Sequence, residues 1–121
     1  MKKLIILFMI IALISVSCTE DSPDDLFVPI TVAVTYEDNI QPIISDRCTG
    51  CHNDPPQGGA PMPLLTYEQV VEAVENRDLW GRISSTDINF LMPLGGTRLP
   101  NSTIAVFEQW IADGLLENNN E

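Results

Sequence analysis

The chain has 121 residues, of which 17 are acidic and six are basic, and its formal net charge is −11. Two of the basic residues, Lys2 and Lys3, lie in the N-terminal segment. Residues 18–121 therefore carry four arginines, no lysine and a charge of −13. Binding to nucleic acid or to an anionic membrane surface relies on Lys and Arg, and this balance argues against both. A chain of this length forms one domain, and so small a domain usually gains from a covalent link, a metal or a cofactor.

The first 17 residues have the composition of a signal peptide. Lys2 and Lys3 precede an apolar run over residues 4–16. This run is shorter than the roughly 20 residues that cross a bilayer as a helix. Residues 1–17 are therefore predicted to be an export signal, which places the rest of the chain outside the cytoplasm.

Cys18 is the first residue with a predicted chemical role, and it directly follows Ile14-Ser15-Val16-Ser17. This context resembles the lipobox of bacterial lipoproteins. The resemblance implies that Cys18 is acylated and anchors the mature protein to a membrane, on the periplasmic side or at the cell surface. By the same resemblance, Thr19 in place of an acidic residue favours the outer membrane. The alternative is a secreted protein in which Cys18 is a lone thiol.

Residues 18–34 are predicted to connect this anchor to a folded domain. The stretch 19–25 contains four acidic residues and is typical of a disordered tether. Residues 26–34 are more apolar and alternate in character, which predicts a short extended segment.

Residues 35–121 are predicted to form an all-α domain of three to four short helices joined by long loops. The first helix begins after Thr35, with Asp38 in a capping-box-like position, and tolerates Pro42 because that residue lies near its first turn. The loop 53–63 contains four prolines and two glycines, which exclude regular structure.

Two further helices follow this loop. Thr66 and Gln69 form a capping box that predicts a helix ending near Arg77. The apolar pattern over residues 79–83 predicts another short helix before a second loop, residues 87–100.

The last predicted helix carries an apolar face with Phe107 and Trp110, which are interpreted as core residues. Its N-cap is predicted to be Asn101 or Ser102, and the helix is predicted to end at Gly114. Residues 118–121 are expected to fray.

The chemistry of the chain is concentrated in Cys48-Thr49-Gly50-Cys51-His52, a C-x-x-C-H sequence. On a helix the two sulfur atoms lie along one face, and His52 falls one turn beyond Cys48. Both thiols can then form thioethers to the vinyl groups of a haem while the imidazole ligates the iron. The pentapeptide is a signal for c-type haem attachment.

Three other roles are open to these residues, namely a structural zinc site, a thioredoxin-like redox pair and a plain disulfide. A structural zinc site needs four Cys or His ligands, and the domain offers only Cys48, Cys51 and His52. A thioredoxin-like redox pair needs a βαβ context, which the pattern of helices and loops does not provide. A plain disulfide between Cys48 and Cys51 is the third alternative.

The second axial ligand of such an iron cannot be another histidine or a lysine, since His52 is the only histidine and residues 18–121 contain no lysine. Methionine, water or no ligand remains. Met92 is favoured over Met62, because Met62 lies ten residues from His52 in the same loop, where reaching the opposite face of the haem looks strained. The alternative role of Met92 is packing within its loop.

Further predictions concern the hydrogen-bond partner of His52 and the residues that could contact a haem propionate. A backbone carbonyl in the region of Pro55 and Pro56 is a candidate acceptor for the second imidazole N–H of His52. Trp80 and Arg82 are candidate hydrogen-bond donors to a haem propionate, although an aromatic core residue and a solvated arginine are the favoured interpretations.

From Tyr36 to Leu115 the chain resembles a small class I monohaem cytochrome c domain. The resemblance covers about two thirds of the sequence and has five parts, which are Pro42-Ile43-Ile44 before the C-x-x-C-H sequence, Gly58-Gly59, Leu65-Thr66-Tyr67-Glu68, Met92-Pro93-Leu94-Gly95-Gly96 and Trp110-Ile111-Ala112-Asp113-Gly114. It implies covalent haem c, with iron ligated by His52 and Met92, and crossing first and last helices. Leu94 replaces a second proline found in the most similar subgroup, and Ser102-Thr103 replaces an acidic first turn.

These observations predict electron transfer by a membrane-anchored cytochrome, with no enzymatic activity of its own. The charge of −13 predicts a redox partner with a basic docking patch. One alternative is a five-coordinate haem sensor or peroxidase-like protein, in which Met92 does not ligate. Another is a haem-bearing accessory subunit of a larger enzyme complex.

Overall fold

The computed structural model describes residues 32–120, and that part of the chain is helical and contains no strand. A π-helical turn, Tyr36–Ile40, leads directly into helix α1, Gln41–Arg47. Three helices follow, α2 (Tyr67–Asn76), α3 (Leu79–Ser84) and α4 (Asn101–Ala112). The predicted all-α class is confirmed for this part. The predicted signal peptide, lipidated Cys18, tether and first part of the extended segment lie outside the described residues, as does Glu121.

The first helical unit starts after Thr35, as predicted, but one of the two hydrogen bonds of its cap involves Asn39 in place of Asp38. The Thr35 hydroxyl accepts a hydrogen bond from the Asp38 N–H at 3.3 Å. The reciprocal bond goes to Asn39, whose side-chain oxygen accepts from the Thr35 N–H at 2.9 Å. Pro42 lies in the first turn of α1, directly after the π-helical turn, and it has no N–H to donate. The wider π-helical turn brings Asn39, rather than Asp38, over the start of the helix.

Helices α2 and α3 confirm the sequence predictions. Thr66 and Gln69 form the complete capping box, and α2 ends at Asn76 with Arg77 as its C-cap. Helix α3 begins after Asp78, whose carboxylate accepts from the Gly81 N–H at 3.2 Å.

Helix α4 begins one or two residues earlier than the predicted N-caps, Asn101 or Ser102, imply. Its first residue is Asn101, and Pro100 stands at the N-cap without a side-chain cap bond. The Asn101 side-chain oxygen instead accepts from the Arg98 guanidinium at 2.7 Å, so it is engaged outside the helix. The stop at Gly114 is confirmed, since this glycine adopts a φ of 94° beyond the C-cap Asp113.

The segment after α4 returns to the first helical turn. The Leu116 carbonyl accepts from the Tyr36 N–H at 2.9 Å and from the Trp110 indole N–H at 2.9 Å. The Tyr67 hydroxyl donates to the Leu115 carbonyl at 2.7 Å. Even Asn119, predicted to fray, donates to Asp38 at 2.7 Å. The end of the chain therefore ties the first turn, α2 and α4 together.

One core unites these elements, and α4 packs against both the π-helical turn and α3. Phe107 and Trp110 are 1% and 0% exposed, which confirms them as core residues. The buried cluster comprises Val34, Tyr36, Ile40, Ile44, Leu64, Val70, Ala73, Leu79, Ile83, Leu99, Ile104, Phe107 and Trp110.

Across residues 32–120, no helix combines the length and the apolar character needed to cross a membrane.

Replacing Asp113 tests how strongly the end of α4 is joined to the segment before the first turn. Its carboxylate accepts from the buried Val34 N–H and from the Gln109 amide, both at 2.8 Å. A carboxylate at a helix C-terminus opposes the helix dipole, so these bonds explain its position. Asp113→Ala should lower the free energy of unfolding by about 1–3 kcal/mol, because Val34 loses its acceptor. Urea unfolding followed by circular dichroism measures this. Exposed Glu108 on the same helix is the control, and an equal loss in Glu108→Ala would contradict the assignment.

Candidate haem-attachment site

The C-x-x-C-H residues form a single helical turn at the end of α1. Cys48 is the C-cap, and its carbonyl accepts from the N–H groups of Cys51 at 3.1 Å and His52 at 2.9 Å. Cys48 is half-buried against the core, whereas Cys51 is exposed. The two thiols are free, so the alternative disulfide is not formed in the structure. This local geometry agrees with the helical turn that the sequence predicts.

The imidazole of His52 is held by one hydrogen bond to the backbone. Its Nδ1 lies 2.8 Å from the Met62 carbonyl oxygen. Because a carbonyl can only accept, this contact requires the tautomer in which Nδ1 carries the hydrogen. Nε2 then keeps its lone pair, which is the state a metal ligand needs.

The acceptor is therefore Met62 and not a carbonyl in the region of Pro55 and Pro56. The loop continues beyond those prolines and returns to the helical turn, where the Leu64 N–H donates to the His52 carbonyl at 2.8 Å. A sequence signal for this does exist: Met62 precedes Pro63, and a residue before proline is restricted to extended backbone. Which carbonyl meets the ring still depends on how the whole loop closes.

The loop passes close to the exposed thiol. The Gln57 N–H donates to the Cys51 carbonyl at 2.7 Å, and a Cβ added to Gly58 would lie 3.4 Å from the Cys51 Sγ. Gly58 has a φ of 59°, a conformation that side-chain-bearing residues rarely adopt. A side chain at position 58 would therefore be disfavoured by the backbone conformation, whereas its Cβ would make only an ordinary contact with the Cys51 thiol.

Met92 lies in a loop that is fixed to α3. Its N–H donates to the Arg82 carbonyl at 3.1 Å, and the Gly96 N–H donates to the Pro93 carbonyl at 3.1 Å. The side chain is half-buried and packs against the core cluster. These bonds hold the Met92 backbone in one position, as a ligand loop requires.

The predicted site residues are only partly brought together in the structure. Cys48, Met62 and Met92 pack against the same core, but the hydrogen bonds join Met62 to His52 and join Met92 to α3. Two of the cavities in the described part have volumes of about 440 and 270 Å³. The smaller lies between α1 and the start of α4, and neither is lined by the C-x-x-C-H residues or Met92.

The two residues considered as propionate donors have contacts of their own. Trp80 packs against the core, in agreement with the favoured interpretation. The Arg82 guanidinium lies 4.5 Å from the ring centroid of Phe90, so it makes a cation–π contact and is not simply solvated.

The donor set fits a covalently attached haem. Two free thiols are separated by two residues, an imidazole has its Nε2 available, and a methionine occupies a fixed loop. Among residues 32–120 no three His, Cys, Asp or Glu side chains are grouped to hold a metal ion by themselves, whereas a structural zinc site needs four Cys or His ligands. Iron in a haem draws only its axial ligands from the protein, so the same residues suffice for it.

No protein-family model, curated protein or solved structure matches the chain. Inference about function therefore rests on the chemistry of the site residues themselves.

The two thiols should differ in reactivity in protein made without its leader, where haem attachment does not occur. Burial raises the pKa of Cys48 to about 11, which keeps this thiol protonated at neutral pH. Compared with the ordinary pKa of 9.0, the thiolate fraction falls about a hundredfold. Iodoacetamide should thus modify Cys51 first, and modification of Cys48 should accelerate as the pH rises toward 11. Peptide mass spectrometry measures both rates.

Protein unfolded in urea is the control for this experiment, because both thiols are then solvated and should react alike. Equal rates in the folded protein would show that Cys48 is not buried.

Proposed function

We propose that the protein is a membrane-anchored monohaem c-type cytochrome that transfers electrons. The observation that carries this proposal is the turn formed by Cys48, Cys51 and His52, with both thiols free and the imidazole oriented through the Met62 carbonyl. Haem c, when bound, supplies a one-electron ferric/ferrous couple. Cys48 and Cys51 would hold it through thioethers, and His52 Nε2 would ligate the iron.

Met92 is proposed as the second axial ligand. Met62 is the less suitable methionine, because its backbone lies at the Nδ1 side of His52, remote from the nitrogen that faces a metal. The Met92 loop is anchored through Arg82 and belongs to the core on a different element. Histidine and methionine together favour the reduced state and leave no open coordination position, which suits electron transfer over substrate chemistry.

The proposed fold is a small cytochrome c-like domain. Support comes from α4 packing on the first helical turn, where the Tyr36 and Trp110 rings lie 6.2 Å apart, and from long loops that carry both axial ligands. The resemblance of residues 36–115 to class I cytochromes c adds to this support.

The proposed location is outside the cytoplasm, at a membrane reached through acylated Cys18. The acidic stretch 19–25 would act as a tether that lets the domain reach its partners. The partner is proposed to present a basic patch, because the charge of −13 attracts positive surfaces and makes association sensitive to salt.

Visible spectra of the exported protein test the haem and its ligands. We expect covalent haem on a denaturing gel, a low-spin reduced spectrum and a methionine-to-iron charge-transfer band in the oxidised protein. Met92→Leu should remove that band. Met62→Leu is the matched control, since it makes the same change in another half-buried methionine and keeps the carbonyl that binds His52.

Three other outcomes would contradict parts of the proposal. Loss of the band in Met62→Leu instead would reassign the ligand. High-spin haem that readily binds carbon monoxide would favour a sensor or peroxidase-like protein. Absence of covalent haem would remove the cytochrome function altogether.

Metabolic labelling with a fatty acid tests the anchor. The full chain should incorporate the label and sediment with membranes, whereas Cys18→Ser should do neither, because its hydroxyl replaces the thiol that is acylated. Unlabelled wild-type protein would indicate an ordinary secreted protein.

Purification from the host in mild detergent addresses the partner: a stable stoichiometric complex would favour an accessory subunit.

A further inference from the structure

The last carbonyls of helix α3 are bound by the loop that carries Met92. The final four carbonyls of an α-helix lack partners inside that helix. In α3 the Arg82 carbonyl accepts from the Met92 N–H at 3.1 Å, and the Ser84 carbonyl accepts from the Arg98 guanidinium at 3.0 Å. Both ends of the segment from Met92 to Arg98 are therefore attached to the end of the same helix.

The Arg98 guanidinium joins two helices through uncharged acceptors. Its Nε donates to the carbonyls of Ser84 and Ser85, at 3.3 and 3.2 Å. Its Nη1 donates at 2.7 Å to the side-chain oxygen of Asn101, the first residue of α4. The dipole of α3 also favours a cation at this helix end. One planar side chain thus connects the end of α3 to the start of α4.

The stretch between Met92 and Arg98 has little support of its own. Residues 94–97 are all exposed. In the described part of the chain, the backbone of these four residues makes one hydrogen bond, from the Gly96 N–H to the Pro93 carbonyl at 3.1 Å. On this side of Met92, the position of the loop consequently depends on the attachment at Arg98.

The contacts of Arg98 require the shape of a guanidinium as well as its charge. A guanidinium presents five N–H donors in one rigid plane, whereas a lysine ammonium is a compact charge with three donors. A lysine at position 98 keeps the positive charge, but it should not serve the carbonyls of Ser84 and Ser85 and the Asn101 side chain together. Exchange of arginine for lysine therefore separates geometry from charge.

We propose that Arg98 is a positioning residue that holds the Met92 loop against α3 and so keeps the methionine at its ligand position. Arg98 fixes the loop after Met92, and Leu91, which is 8% exposed, fixes it before. The inference rests on the proposed function, because the ligand that is held is the one proposed there. When the loop is released, an added ligand such as imidazole should compete more effectively with Met92.

Arg98→Lys tests this proposal in the exported full chain, in detergent. Amide hydrogen exchange in the reduced protein, followed by nuclear magnetic resonance, should be about tenfold faster at Met92, because the loop opens more often. Exchange at Ala73, which is buried within α2, should stay as in the wild type. Imidazole binding to the oxidised protein, followed by loss of the methionine-to-iron band, should become tighter by the same factor of about ten.

Arg77→Lys is the matched control. Arg77 is the C-cap of α2, and its described ion pair joins it to Glu72 of the same helix at 3.8 Å. This variant makes the same chemical change and should alter neither exchange at Met92 nor imidazole affinity. Circular dichroism checks that every variant folds.

Asn101→Ala is a milder second variant, because it removes only the acceptor of the Arg98 Nη1. It should accelerate exchange at Met92 about threefold, since one of several bonds to the guanidinium is lost. Added to Arg98→Lys it should have little further effect, because both changes act through one contact.

Three results would overturn the proposal. The first is wild-type exchange at Met92 in Arg98→Lys, and the second is equal acceleration at Met92 and Ala73, which would indicate a general loss of stability. The third is faster exchange without tighter imidazole binding. Absence of the methionine band in the wild type would instead overturn the proposed ligand, and exchange at Met92 would still decide whether Arg98 holds the loop.

Discussion

The carbonyl of Leu116 is the acceptor on which the closure of this domain depends. It receives one hydrogen bond from the backbone of Tyr36 and one from the indole of Trp110, and both donors belong to buried residues. Buried donors without acceptors cost more free energy than a formed bond contributes, so the two bonds fix the end of the chain firmly. The first turn leads into α1 and the Cys48 turn, so this closure also positions the candidate site.

Sequence reasoning succeeded where the determinants are local. The capping box at Thr66 and the left-handed Gly114 are decided within a few residues, and the helical turn at Cys48 follows directly from α1. It failed at the start of α4, where another side chain competes for the same group: the Arg98 guanidinium donates to the Asn101 side chain, which therefore does not cap α4. The joining of the first turn to the segment after α4 was missed because most of its acceptors are main-chain carbonyls, which every residue possesses.

The candidate site also combines features that could be predicted from the sequence with features that could not. Its candidate attachment residues are contiguous and could be read from the sequence, and the preference for Met92 over Met62 came from their spacing to His52 and from the resemblance to class I cytochromes c. The hydrogen bond to the Met62 carbonyl adds a physical reason for that preference, since it places Met62 behind the imidazole. The larger cavity, of about 440 Å³, had no sequence signal, because its lining comes from the first turn, the start of α2 and the segment after α4.

The position of Leu116 also bears on how the domain folds. Its carbonyl accepts from the backbone of Tyr36, which lies far earlier in the chain. Because closing a long loop costs entropy before the contact is made, we expect this bond to form late in folding. The turn at Cys48 depends only on hydrogen bonds between neighbouring residues, so its two thiols can reach their helical arrangement while the rest of the domain is still open.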